Sequence, residues 1–126
     1  MSGEVDKSGH PLIREAPKPD FLVHIPGEMT NLLVMEVKPR NADINRMVDD
    51  LKKLTTFRRD LVDQQGQPVN YQAAYFWVYG ISPEGWPHLR GRLLQTMGGS
   101  QKVDRSLISC YVHERPGAPA ILVDWQ

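Results

Sequence analysis

The sequence predicts an α/β domain, a mixed β-sheet built around a hairpin and flanked by helices. Three observations carry that expectation. Apolar residues over 42–62 recur at three- and four-residue steps, whereas 20–25, 32–38, 71–79, 106–113 and 120–125 are short β-rich runs. The two periods are interleaved along the chain in the order β-β-α-β-α-β-β, as in folds that layer helices on a sheet. Proline and glycine punctuate the joins between them.

Residues 1–10 are polar and read as a frayed, disordered start. A short strand is conceivable over 12–15, and Pro17 and Pro19 make the following stretch stiff and extended. The runs 20–25 and 32–38 are separated by a Pro/Gly/Asn-containing loop and read as an antiparallel hairpin. Over 42–62, Ile44, Met47, Val48, Leu51, Leu54, Leu61 and Val62 form one buried stripe. Asp49, Asp50, Lys52, Lys53, Arg58 and Arg59 lie between them on a solvated face. Asn41 is the expected N-cap, with Asp43 in the first turn. The run 71–79 shows little alternation and reads as a central strand covered on both faces. Ser82 and Pro83 open a second helix to Met97, ended by Gly98 and Gly99, and two strands follow.

At 126 residues and 14.3 kDa the chain reads as a single domain over 1–126. Within it, 11–80 form the core and 81–126 complete the sheet. Cys110 is the only cysteine, which excludes an internal disulfide and fits a reducing, cytoplasmic setting. No apolar run approaches the roughly 20 residues of a membrane span. Fifteen Lys and Arg balance fifteen Asp and Glu. A nucleic-acid partner would therefore meet a local basic face and bind the isolated chain weakly.

One constellation carries chemistry. If Ile25 pairs with Asn31, the hairpin sets Asp20 opposite Glu36, and Lys38 shares their sheet face because side chains two apart point the same way. Like charges placed opposite each other destabilise a sheet, and a cation between them relieves the repulsion. Mg²⁺ takes one or two protein carboxylates and leaves room for water and phosphate oxygens. Lys38 could then assist a water or neutralise charge on a phosphate. The set suits hydrolysis of a phosphodiester.

Pro19-Asp20, a fifteen-residue gap, then Glu36-Val37-Lys38 resembles the signature of the PD-(D/E)XK nuclease superfamily, which includes restriction endonucleases and Holliday-junction resolvases. The apolar residues before Glu36, the following helix and the strand after it fit the same pattern over 11–80. The resemblance implies a restriction endonuclease-like core acting on DNA or structured nucleic acid. It implies Mg²⁺ or Mn²⁺ held by Asp20, Glu36 and the Val37 carbonyl, with Lys38 as base or electrostatic stabiliser. Members carry a helix, often with a further acid, before the first motif strand. Here that helix is short, missing or supplied by another subunit, which leaves room for a homodimer or a larger assembly. Glu15 is the candidate for the extra acid.

Other readings stay open. Asp20 could simply start a strand, and Glu36 could form a structural ion pair with Lys38 or Arg40. His24 and the helix cations read as solvent-facing, Tyr75, Trp77 and Tyr79 as core or sheet-edge residues, and Cys110 as a buried small hydrophobe. The chain could be a non-catalytic member of the same fold, serving as a structural or nucleic-acid-binding module. It could also be a small α/β protein-interaction domain.

Overall fold

The hairpin expected over 20–38 forms one edge of a five-stranded mixed sheet. The computed structural model describes residues 20–24 and 31–125. The strands are β1 (Phe21–His24), β2 (Asn31–Pro39), β3 (Ala73–Tyr79), β4 (Ser109–His113) and β5 (Ala120–Val123), and they lie in that order across the sheet. β2, β3 and β4 run parallel, while β1 and β5 are antiparallel edges. Helix α1 (Ile44–Arg59) joins β2 to β3, and α2 (Trp86–Met97) joins β3 to β4. Residues 1–19, with the strand expected over 12–15 and Glu15, lie outside the described residues, as does the His24 side chain. Among the described residues no helix is long and apolar enough to cross a membrane.

Both crossovers advance across the sheet in the same direction. Because such connections are right-handed, the rule places α1 and α2 on one face, and they pack against each other there. Strand burial records this arrangement. Val34, Glu36, Ala74, Phe76, Val78, Cys110 and Val112 are buried on the helix side. The intervening Leu33, Met35, Val37, Tyr75, Trp77, Tyr111 and His113 are only half-buried. This corrects the expectation for β3, which is central but alternates in burial and is covered on one face by the described residues. Its open face carries a stacked Trp77–Tyr111 pair, ring centroids 5.9 Å apart, with Phe21, Tyr79 and Leu122 exposed around it.

Helix α1 keeps the expected stripe as far as Leu54, but it ends at Arg59, so Leu61 and Val62 lie beyond it, with Val62 bridged to Pro68. Met47, Val48, Leu51 and Leu54 are buried, and Ile44 packs partly against the core. Its start differs from expectation. Ala42 N–H donates to the Pro39 carbonyl at 3.0 Å, so Asn41 is spent in a turn. The N-cap is Asp43, whose Oδ1 accepts from the Asn45 N–H at 2.8 Å. Arg58 is not a solvated cation. Its guanidinium donates to the carbonyls of Leu107 (3.2 Å) and Tyr71 (3.0 Å), clamping the helix end to the chain entering β3 and β4.

The segment before α2 is a 3-10 turn, Pro83–Gly85, and a second one, Arg105–Leu107, replaces the first residues expected in β4. Cys110 is buried, as its apolar setting suggests, and burial pushes its thiol well above the ordinary value.

Leu51 is fully buried, so Leu51→Ala should lower stability by about 2–5 kcal/mol. Exposed Asp49→Ala should change it by no more than about 0.5 kcal/mol. Urea denaturation of both variants measures the contrast, and equal effects would mean that the helix presents a different face.

Candidate functional site

β2 delivers the motif residues. The pairs Phe21↔Met35, Leu22↔Val34 and Val23↔Leu33 keep the register that sets Asp20 against Glu36. The ladder slips after Val23, where β2 contributes an extra residue and His24 rather than Ile25 meets Asn31. The slip lies at the loop end and leaves the motif end undisturbed.

Asp20 precedes the first residue of β1, beyond which β2 has no strand partner on that side among the described residues. Its Oδ2 accepts from the Val37 N–H at 2.8 Å, so the carboxylate caps the open end of the ladder. The N–H and carbonyl of one strand residue point to the same side. The Val37 carbonyl therefore projects toward the edge at which the exposed Asp20 stands.

Glu36 is completely buried on the helix side of the sheet. Among the described residues neither of its carboxylate oxygens has a hydrogen-bond partner. Its nearest counter-charge comes from α1, where Lys53 Nζ stands 3.5 Å from Oε2. Lys53 also lies 3.3 Å from Asp50 Oδ1, and Asp50 Oδ2 lies 3.0 Å from Lys38 Nζ. The result is a row of alternating charges, Glu36–Lys53–Asp50–Lys38, running between strand and helix, with Asp20 outside it at the edge.

The environment sets the proton affinities. Burial, followed by the charge of Asp50, pushes the Glu36 carboxyl up to about 7. Asp20 adds to the rise, while Lys53 and Lys38 oppose it. For Lys38, burial works against the charged form. The Asp50 hydrogen bond and the charges of Asp50, Asp20 and Glu36 outweigh it and hold the ammonium above its ordinary value.

Sequence reasoning misplaces Asp50 and Lys53, since it puts both on the solvated face. Asp50 is 4% exposed. A signal is present, because Met47, Asp50, Leu54 and Phe57 follow the spacing of an apolar stripe. An acid on that stripe needs a buried partner. Arg40 lies in the turn after β2 and forms no ion pair with Glu36; Lys53 does.

Among the described residues, no three His, Cys, Asp or Glu side chains converge as a ready-made metal cluster. No family model, curated protein or solved structure matches the chain.

The Glu36 shift has a definite sign. Between its ordinary pKa of 4.5 and about 7, the folded state holds a proton that the unfolded chain has released. Stability contributed at this position therefore falls as pH rises through that window. Glu36→Gln should gain on the wild type by an amount on the order of 3 kcal/mol between pH 4.5 and 7.5. Urea denaturation at both pH values, in EDTA, measures the change. A difference that stays flat with pH would contradict the assignment.

Proposed function

We propose that this chain hydrolyses phosphodiester bonds of DNA or structured nucleic acid with a divalent cation, as a member of the PD-(D/E)XK nuclease superfamily with a restriction endonuclease-like core. One observation carries the reading. The buried Glu36 carboxylate, with no hydrogen-bond donor for either oxygen among the described residues, lies on the same strand face as Lys38 and within the electrostatic reach of Asp20. Buried carboxylates are normally hydrogen-bonded, and one met only by a lysine ammonium at 3.5 Å, with a second carboxylate in electrostatic reach, fits a cation.

Asp20, Glu36 and the Val37 carbonyl would hold Mg²⁺ or Mn²⁺, consistent with the preference of Mg²⁺ for few protein ligands. When bound, the ion supplies a Lewis acid that polarises the phosphate and acidifies water. The remaining work belongs to the chain. Lys38, kept protonated by its neighbours, offsets negative charge developing on the phosphate. Asp50 fixes the Lys38 ammonium from the helix side at 3.0 Å and so acts through it as a positioning residue. Lys53 balances Glu36 and Asp50, which lets two acids occupy an otherwise apolar layer.

A specific observation favours a second reading. Because Lys53 already gives Glu36 a counter-charge, the same row of charges is also compatible with a non-catalytic member serving as a structural or nucleic-acid-binding module.

Plasmid nicking separates the two. The chain should nick DNA with Mg²⁺ or Mn²⁺ and stop in EDTA, and Asp20→Ala and Glu36→Ala should each abolish cleavage. Lys38→Ala should slow it by about 10²–10⁴-fold, and Asp50→Asn by about 10–100-fold. Cleavage that survives Asp20→Ala and Glu36→Ala would contradict the site, and no cleavage by the wild type would favour the second reading.

A further inference from the structure

Beyond Lys38, the carboxyl ends of β2 and β3 open into a cleft of about 350 Å³. Arg40 and Asn41 line it from the turn after β2, and His88 and Arg92 from α2, above an apolar floor of Ile81 and Leu89. In open α/β sheets this end of the strands is where ligands bind.

The cleft differs from the other charged regions of the molecule. Among the described residues no carboxylate lines it, and neither Arg40 nor Arg92 is ion-paired. Lys38 and Lys53 are engaged with Asp50 and Glu36, and Arg58 is engaged with backbone carbonyls. A larger groove, bordered by Arg59 and Arg105, also carries Asp104 and Asp124 and so offers mixed charge. At neutral pH the smaller cleft therefore presents two permanent guanidinium charges without an acid to cancel them.

Its parts are also positioned. His88 and Arg92 are one helical turn apart and share a face of α2. The aliphatic stem of Arg40 runs past Gly80, whose φ is +82°, and a Cβ at that glycine would meet Arg40 Cγ at 4.0 Å. Arginine forks match phosphate oxygens bidentately, and the Asn41 amide and His88 ring can add hydrogen bonds.

We propose that this cleft is a phosphate subsite, taking a backbone phosphate of nucleic acid next to the one that Lys38 would face at the proposed cation site. Its place next to a scissile phosphate rests on the nuclease reading, whereas its affinity for a phosphodiester does not.

The test is binding of a fluorescent 20-base-pair duplex in EDTA, where no cleavage occurs, over about 50–200 mM salt. Leaving one bound phosphate without its cations should reduce the slope of log K against log salt by about 0.9. Arg40→Gln and Arg92→Gln should each take part of that reduction, and the double variant should show all of it. The charge-retaining Arg40→Lys/Arg92→Lys pair should keep most of the slope, which separates a charge effect from a folding defect. Lys102→Gln, on an exposed surface away from the cleft, should leave it unchanged.

An unchanged slope in the double Gln variant, or an equal reduction in Lys102→Gln, would overturn the subsite. Cleft-dependent binding of inorganic phosphate without binding of duplex would overturn the backbone assignment in favour of a small free phosphate. If the Gln variants bind duplex more weakly while the wild type never nicks DNA, the subsite stands and the nuclease reading fails.

Discussion

A carboxylate buried in the apolar face of a sheet is the constraint around which this molecule is organised. Glu36 lies between Val34 and the core under α1, where an unpaired charge would be strongly destabilising. The fold answers with Lys53 from the helix, which brings Asp50 with it, which in turn holds Lys38. The row is internally balanced, and Asp20 at the strand edge adds one negative charge beyond balance. Burial, followed by the charge of Asp50, pushes the Glu36 carboxyl up to about 7, and Asp20 adds a smaller push in the same direction. Buried ion pairs of this kind stabilise a fold less than apolar side chains of equal volume often do. The arrangement is therefore not explained as a source of stability, which agrees with the proposed role of Glu36 as a cation ligand.

Topology decides where that chemistry lies. Successive crossovers from β2 to β3 and from β3 to β4 put both helices on one side of the sheet, so the side chains of α1 can reach the strand face that carries Glu36 and Lys38. The same connections turn the start of α2 toward the carboxyl ends of β2 and β3, where Arg40, His88 and Arg92 meet. The charged row and the basic cleft are thus consecutive stations along β2. The opposite face, with Trp77 stacked on Tyr111, takes no part in either.

Much of this is legible in the residues alone. The hairpin register follows from matching two β-rich runs across a short loop, and three strand pairs hold to it before the bulge shifts the ladder. The period of 42–62 identifies a helix and four of its buried residues. Glu36 stands out because an acid amid Val34, Met35 and Val37 has no reason to be there unless something pairs with it. What escapes depends on contacts between elements. Asp50 looks solvated because it is charged, and the ammonium groups of Lys38 across the layer and of Lys53 one turn along the helix make its burial tolerable. Arg58 looks solvated for the same reason, but the carbonyls of Tyr71 and Leu107 take its charge. Asn41 and Asp43 are both good caps, and the turn that begins at Pro39 decides between them. The aromatic and β-branched residues of β3 hide its alternation, since Tyr75 and Trp77 are apolar enough to read as core.

The central claim is that Asp20 and Glu36 jointly hold a divalent cation, and calorimetric titration of the wild type with Mn²⁺ tests it most directly. Beside it belong Asp20→Ala, Glu36→Gln and Lys38→Ala. The account predicts uptake of a cation that disappears in the first two variants and persists in the third, because Lys38 contributes no ligand. Absence of uptake by the wild type, or uptake indifferent to both carboxylate substitutions, would contradict it.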